Sequence, residues 1–158
     1  MRDVEGPVTA VDSFEVFFKE AEPRLHDALS ACLGGELGRE ATADALVFGW
    51  ENWERVESME NPIGYLYIVG RNRGRKTRRT RRVGLPLVEK SRLPWIEPGL
   101  VDALAGLPER QRVVVTLVYG FEWTLAEMAE LLGVKKTTVQ NHAERGLSRL
   151  RSNLGAGV

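Results

Sequence analysis

Three prolines divide this chain. Pro86, Pro94 and Pro98 lie within "VGLPLVEKSRLPWIEPG", residues 83–99. Each lacks a backbone donor and fixes its own φ, so the stretch reads as an extended connector rather than a helix. On either side nearly every segment carries helical periodicity, with no strand-like alternation of useful length and no internal repeat. The expected fold class is therefore all-α: two small helical domains joined by a Pro-rich linker, the C-terminal one a helix-turn-helix. The boundaries are residues 1–82, 83–99 and 100–158. A chain of 158 residues with 43% hydrophobic content can build packed cores of that size.

In the first unit, Phe14, Phe17, Phe18, Ala21, Leu25, Ala28, Leu29 and Cys32 recur at helical spacing, and Pro23 is expected to break or kink that helix. "CLGGELG" reads as a loop. A second helix over residues 40–53 places Leu46, Val47, Trp50 and Trp53 on its apolar side, and "ERVESME" is a polar connection. A third helix opens with Asn61 as N-cap and Pro62 at its first position. It changes from apolar to densely basic along its length.

A net charge of zero hides a sharp sorting of charge. Residues 1–60 hold 5 Lys/Arg and 14 Asp/Glu, residues 61–92 hold 10 and 1, and residues 93–158 hold 7 of each. That pattern implies two electrostatically different partners. "RNRGRKTRRTRR", residues 71–82, carries eight positive charges and continues a capped helix in mid-chain, which favours a nucleic-acid surface over a solvated basic tail. Tyr65 and Tyr67 lie just upstream; they suit stacking on single-stranded bases, or equally core packing. The acidic front, with Trp50 and Trp53 on an apolar face, suits either a basic protein partner or a plain core.

In the C-terminal unit, "TLAEMAELL" opens with Thr124 and Glu127 at capping-box spacing, and Gly133 is placed to end the helix in the left-handed conformation. Leu125, Met128, Ala129 and Leu132 share one face of that helix. Val139, Ala143, Leu147 and Leu150 share a face of the next, which runs from Lys136 to Asn153. Packing the two faces across so short a turn gives a helix-turn-helix. It leaves Lys135, Lys136, Thr137, Thr138, Gln140, Asn141, Glu144 and Arg145 as the DNA-facing set, at the end of the helix that enters a major groove. Gln and Asn can bond adenine bidentately, Lys can reach guanine or phosphate, and Thr137 suits phosphate. The plainer alternative is a helical hairpin with a solvated polar face. The coincidence of turn, capping box and polar cluster favours DNA. His142 has no partner at metal-ligand spacing.

Other classes are disfavoured. No apolar run approaches a membrane span, and the start of the chain lacks the pattern of a signal peptide, so a cytoplasmic protein without membrane insertion is expected. Cys32 is the only cysteine, so neither an internal disulfide nor a cysteine zinc cluster can form. No phosphate loop, metal cluster or nucleophile–base signature is present, so no enzyme, metal or cofactor is expected.

Taken together, the chain resembles bacterial RNA polymerase sigma factors of the extracytoplasmic-function (ECF) group of the sigma-70 family. "NPIGYLYIVGRNRGRKTRR" is similar to that group's second conserved region. "LPERQRVVVTLVYGFEWTLAEMAELLGVKKTTVQNHAERGLSRLR" is similar to its fourth almost end to end. The likeness runs from about Phe14 to Arg151. It implies a transcription initiation factor that binds core RNA polymerase, through the clamp of the beta-prime subunit and the flap of the beta subunit, and directs it to promoter DNA. The implied core-binding residues are Glu40, Asp44, Val47, Trp50 and Trp53. The implied minus-ten set is Asn61, Tyr65, Tyr67, Arg71, Asn72, Arg75, Lys76, Arg78 and Arg79. The helix-turn-helix would read the minus-thirty-five element. An anti-sigma factor is a further candidate partner.

The sequence departs from the group in three places. Glu40-Ala41-Thr42-Ala43-Asp44 stands where Asp-Leu-Val-Gln-Glu is usual. Lys135 replaces a Ser or Thr cap, so the recognition helix is expected to start later, capped by Thr137. Gly146 lies inside that helix, at a cost of about 1 kcal/mol against Ala. Two other functions stay open: a sigma-like DNA-binding regulator acting without core polymerase, and a protein-interaction module titrating an anti-sigma factor.

Overall fold

The computed structural model describes residues 9–81 and 99–156. The Pro-rich connector, with Pro86, Pro94 and Pro98, lies outside the described residues, as do Arg82 and the first eight positions. Every regular element among the described residues is helical: α1 Ala10–Leu33, α2 Gly35–Glu51, α3 Trp53–Glu57, α4 Pro62–Arg81, α5 Leu100–Ala105, α6 Glu109–Val115, α7 Leu125–Leu132 and α8 Lys136–Ala156. A π-helical turn, Thr116–Gly120, extends α6.

Helix α1 starts where Thr9 accepts a hydrogen bond from the Asp12 amide at 3.1 Å, a regular N-cap. It buries Ala21, Leu25, Ala28, Leu29, Cys32 and Leu33 against α2 and α4. Contrary to expectation, Pro23 sits inside this unbroken helix. It lies on the exposed side, where solvent can take the carbonyl bond that its ring cannot make. The "CLGGELG" loop also shrinks to one residue. Gly34 (φ 92) turns the chain and α2 begins at Gly35. Gly38 is a packing glycine: a Cβ there would lie 2.6 Å from the Ser30 Cα, so α1 and α2 touch backbone to backbone. The polar connection proves to hold the short α3, whose Trp53 and Val56 are buried.

Local signals further along are realised. The Asn61 side chain accepts the Gly64 amide at 3.0 Å, capping α4. Thr124 and Glu127 form both bonds of a capping box, and Gly133 ends α7 at φ 66. Helix α8 starts at Lys136, and the Val139 amide bonds the Lys135 carbonyl at 3.1 Å. The helix thus starts at Lys136 as its periodicity implied, and the later start with Thr137 as cap does not occur.

One buried cluster runs through both halves. It joins Leu25, Leu29, Cys32, Leu66 and Tyr67 to Val113, Val114, Leu117, Met128 and Val139. A smaller cluster of Ala103, Leu107, Val115 and Leu150 ties α5 to α6 and α8. Gly146 lets α8 approach α6, since a Cβ there would lie 2.5 Å from Val115 Cγ2. Helix propensity alone says Gly146→Ala gains about 1 kcal/mol. The stiff Val115 side chain reverses the sign, because an overpacked contact costs about 1–3 kcal/mol. Urea unfolding of Gly146→Ala is expected to show a lower midpoint than the parent chain.

Candidate nucleic-acid interface

The helix-turn-helix presents its polar set as expected. Met128 of α7 is fully buried, as are Val139 and Ala143 of α8 to within 3%. Leu131, not Leu132, is the second buried anchor of α7. With that face packed, Lys135, Lys136, Thr137, Gln140, Asn141, Glu144 and Arg145 are exposed, and Thr138 is half-buried. Gln140 reaches Glu144 across one turn at 3.4 Å, a weak contact that leaves it available to a base edge. His142 is held below its usual value first by burial, then by the charges of Arg110 and Arg145.

Helix α4 divides its basic residues between two faces. At 100° per residue, Asn72, Lys76 and Arg79 fall on one side, and all three are exposed. Arg71, Arg75 and Arg78 fall on the other and are half-buried. Arg78 donates to the Leu33 carbonyl and Arg75 pairs with Glu109 of α6. Arg71 lies over the Tyr67 ring at 5.8 Å. Six residues assigned to one DNA surface thus lie in two environments.

The tyrosines divide similarly. Tyr65 is half-buried beside Phe48, with Arg55 over its ring at 5.9 Å. Tyr67 is 2% exposed. Burial first, then the neighbouring Cys32, pushes its hydroxyl well above the usual range. Its assignment as a base-stacking residue is corrected here: it is a core residue, because its face of α4 is the one that meets α1.

In the acidic front, Val47 and Trp50 are 54% and 45% exposed, whereas Trp53 is 6% exposed. Trp53 donates its indole N–H to Ser13 Oγ at 2.7 Å and packs on Phe14 and Phe17. Its assignment to a docking surface is likewise corrected, since α2 has ended before it and α3 turns it inward. Val47 and Trp50 instead line an apolar groove of about 470 Å³ with Phe14, Phe18 and Leu46, rimmed by Glu22, His26 and Arg39. Asp44 is exposed, and Glu40 is engaged by Arg81 at 2.9 Å.

Sequence reasoning missed the joint between the halves. Arg112, only 8% exposed, donates to the carbonyls of Ala31 at 3.3 Å and Cys32 at 2.8 Å. The Cys32 thiol donates to Glu109 at 2.8 Å. Arg24 pairs with Glu127 at 2.8 Å and lies over Trp123 at 5.6 Å, while the Asn61 amide donates to the Glu130 carbonyl. The one available signal was Arg112 at the head of "RVVVTLV", a cation leading an apolar run. Among the described residues no group of side chains could hold a metal ion, and no helix is long and apolar enough to cross a membrane.

The Glu127 carboxyl is held below its usual value near 4.5, first by the Thr124 amide, then by the Thr124 hydroxyl, with Arg24 adding to this. A depressed folded value means stability that is present above the unfolded value and lost as pH falls through the folded one. Glu127→Gln is expected to be less stable than the parent at neutral pH. The gap should close as the medium is acidified below the ordinary glutamate range, read by urea midpoints across pH.

Comparison with known proteins accords with this geometry. Residues 99–150 match the family described as Sigma-70, region 4. The RNA polymerase sigma factor FliA of Pseudomonas aeruginosa is 41% identical over 58 residues, covering 37% of this chain and 24% of that protein. Its counterpart from Salmonella typhimurium is 38% identical over 56 residues, covering 35% and 23%. The matched stretch thus spans about a quarter of those relatives. Over the whole fold the chain is similar to the sigma factor RpoE from Bartonella quintana, solved in complex with the anti-sigma factor NepR. The TM-score is 0.59 and the identity 20%, over 90% of this chain and 97% of that one. Residues 99–150 are thus similar to a sigma-70 region 4, and the all-helical fold is shared with a solved sigma factor.

Proposed function

We propose that the protein is a transcription initiation factor of the extracytoplasmic-function type, which binds core RNA polymerase and directs it to specific promoters. One observation carries this reading. A helix-turn-helix similar to sigma-70 region 4 shares the chain with a second unit that has both a basic helix face and an exposed apolar groove. A repressor that only reads duplex DNA needs neither feature of the second unit.

In this reading the N-terminal unit, residues 1–82, serves core binding and the minus-ten element, and residues 100–158 serve the minus-thirty-five element, with 83–99 as the linker between them. Val47 and Trp50 present apolar surface to the clamp of the beta-prime subunit, with Asp44 exposed on the same helix. Large exposed aromatics in a groove are the residue type that dominates protein interfaces. Asn72, Lys76 and Arg79 track the phosphates of the opened strand, and Tyr65 is the remaining aromatic for base stacking. Gln140 and Asn141 read base edges while Lys135, Lys136 and Arg145 hold phosphate. Region 4 also meets the flap of the beta subunit. The chain contributes no catalytic group; the polymerase supplies the chemistry. An anti-sigma factor is a further proposed partner, since the structural neighbour from Bartonella quintana is held by one.

The deciding experiment is co-elution with bacterial core RNA polymerase on size exclusion, with a housekeeping sigma factor as competitor. Competitive co-elution is expected. Failure of a well-folded chain to bind core would turn the reading towards a regulator acting alone or a module that titrates an anti-sigma factor. Val47→Glu, on an exposed position, is expected to weaken co-elution by about tenfold or more, the scale of a lost hot spot. Replacing Gln140 or Asn141 by Ala should cost about 1–3 kcal/mol on promoter duplex and relax preference at one or two base pairs. Arg79→Ala should weaken DNA engagement for all sequences alike and flatten its salt dependence. Footprints and salt titrations on a mapped promoter would separate these effects.

A further inference from the structure

The helix-turn-helix gathers cations on one flank of α8. The packed stripe of Val139, Ala143, Gly146 and Leu150 gives way there to His142 and Arg145, three residues apart and neighbours on the helix surface. Helix α6 crosses on the same side. A Cβ on Gly146 would lie 3.4 Å from Gln111, so the first turn of α6 meets α8 one turn beyond His142. Arg110, next to Gln111 in sequence, is exposed, as is Arg145, while His142 is half-buried. The charges of both arginines bear on the imidazole. Among the described residues neither guanidinium has an ion-pair partner. Two unmatched cations beside an imidazole oppose a third positive charge, and an anion placed among them removes that opposition.

We propose that Arg110, His142 and Arg145 form one phosphate-holding cluster, in which His142 takes up a proton as duplex DNA binds. The inference rests on the DNA reading of the helix-turn-helix given above and adds Arg110 and His142 to it. Arg145 belongs to the exposed set that includes Gln140 and Asn141, so a duplex read by α8 brings its backbone to this flank. The nearby carboxylates are placed elsewhere. Glu109 pairs with Arg75, and Glu127 and Glu130 of α7 line a pocket with Arg24 of α1. Glu144 contacts Gln140, and α5, with Asp102, meets α8 further along, where Asn153 bonds the Ala103 carbonyl. Lys135 and Arg149 stand two turns from His142 on either side. In the free chain burial and the two guanidinium charges hold the imidazole below its usual value. A phosphodiester among them favours the imidazolium, so the bound value lies above the free one. Affinity is then greatest below the free value and falls as pH rises through the bound value.

The full chain is titrated with a fluorescent mixed-sequence duplex at fixed low salt from about pH 5 to about pH 8, the range over which histidine changes charge. The parent is expected to bind about tenfold more tightly at the acidic end, the change that a rise of about one pKa unit on binding gives. His142→Gln cannot titrate, and its affinity should stay flat at the parent's basic-end level. His142→Lys carries its charge throughout and should bind tightly at every pH. At the acidic end the Gln variant should lose about one from the parent's salt slope, the share of a single phosphate contact. Arg110→Ala should weaken binding at every pH and lower that slope by about one. His26, the other histidine, lies on the groove rim of the N-terminal half and is present in every variant. A pH dependence that survives in His142→Gln, or a His142 ring titration by NMR that duplex leaves unmoved, overturns the proposal. Absence of duplex binding at every pH overturns the DNA reading of the helix-turn-helix with it, whereas pH-independent binding leaves that reading standing and removes this one.

Discussion

Arg112 and the C-terminal end of α1 form the contact on which the arrangement of the two halves depends. A helix end leaves carbonyls without intrahelical donors and carries a partial negative charge. Helix α1 has no basic residue in its last turn to answer that charge. Two guanidinium groups from elsewhere answer it: Arg112 of α6 bonds the Ala31 and Cys32 carbonyls, and Arg78 of α4 bonds that of Leu33. Burial lowers the pKa of both arginines from its usual value, yet each remains charged at any physiological pH. A buried cation is tolerable only if its donors are matched. Three well-placed carbonyls do this for Arg112, the third being Leu107 of its own half.

That capping explains why the basic helix has two faces. Helix α4 packs on α1 and α2 through Leu66, Tyr67, Gly70 and Gly74. Its inner stripe therefore continues into Arg71, Arg75 and Arg78 at the point where α1 ends. The outer stripe of Asn72, Lys76 and Arg79 meets solvent. A run of eight positive charges is uniform as a string, but a helix separates it every 100°. Arg71, Arg75 and Arg78 serve internal contacts, while Lys76 and Arg79 stay exposed.

The acidic front shows the same economy. Phe14 stands at the centre of an aromatic group, 5.2 Å from Trp50 and 5.3 Å from Trp53. Trp53 closes that group from inside with its bond to Ser13, whereas Trp50 and Val47 stay at the groove. Two tryptophans three residues apart look equivalent on a helical wheel. They differ here because α2 ends at Glu51, before the second one.

What the sequence by itself determined was local. The Asn61-Pro62 start, the Thr124–Glu127 capping box, the Gly133 turn and the exposed polar end of α8 follow from bonds among residues a few positions apart, and each is as the pattern implied. The glycines and Pro23 were less legible. Gly38 and Gly146 serve close packing against Ser30 and Val115, a reason that no neighbour in the sequence records. Pro23 survives in α1 because of the face it happens to occupy. Tyr67, Trp53 and the Arg75–Glu109–Cys32–Arg112 joint were decided only by tertiary structure. Which side of a helix is buried, and which distant carbonyl needs a donor, depends on contacts between residues up to 81 positions apart. Periodicity gives a helix its faces; only the packed fold assigns each face to the core, to the joint or to a partner.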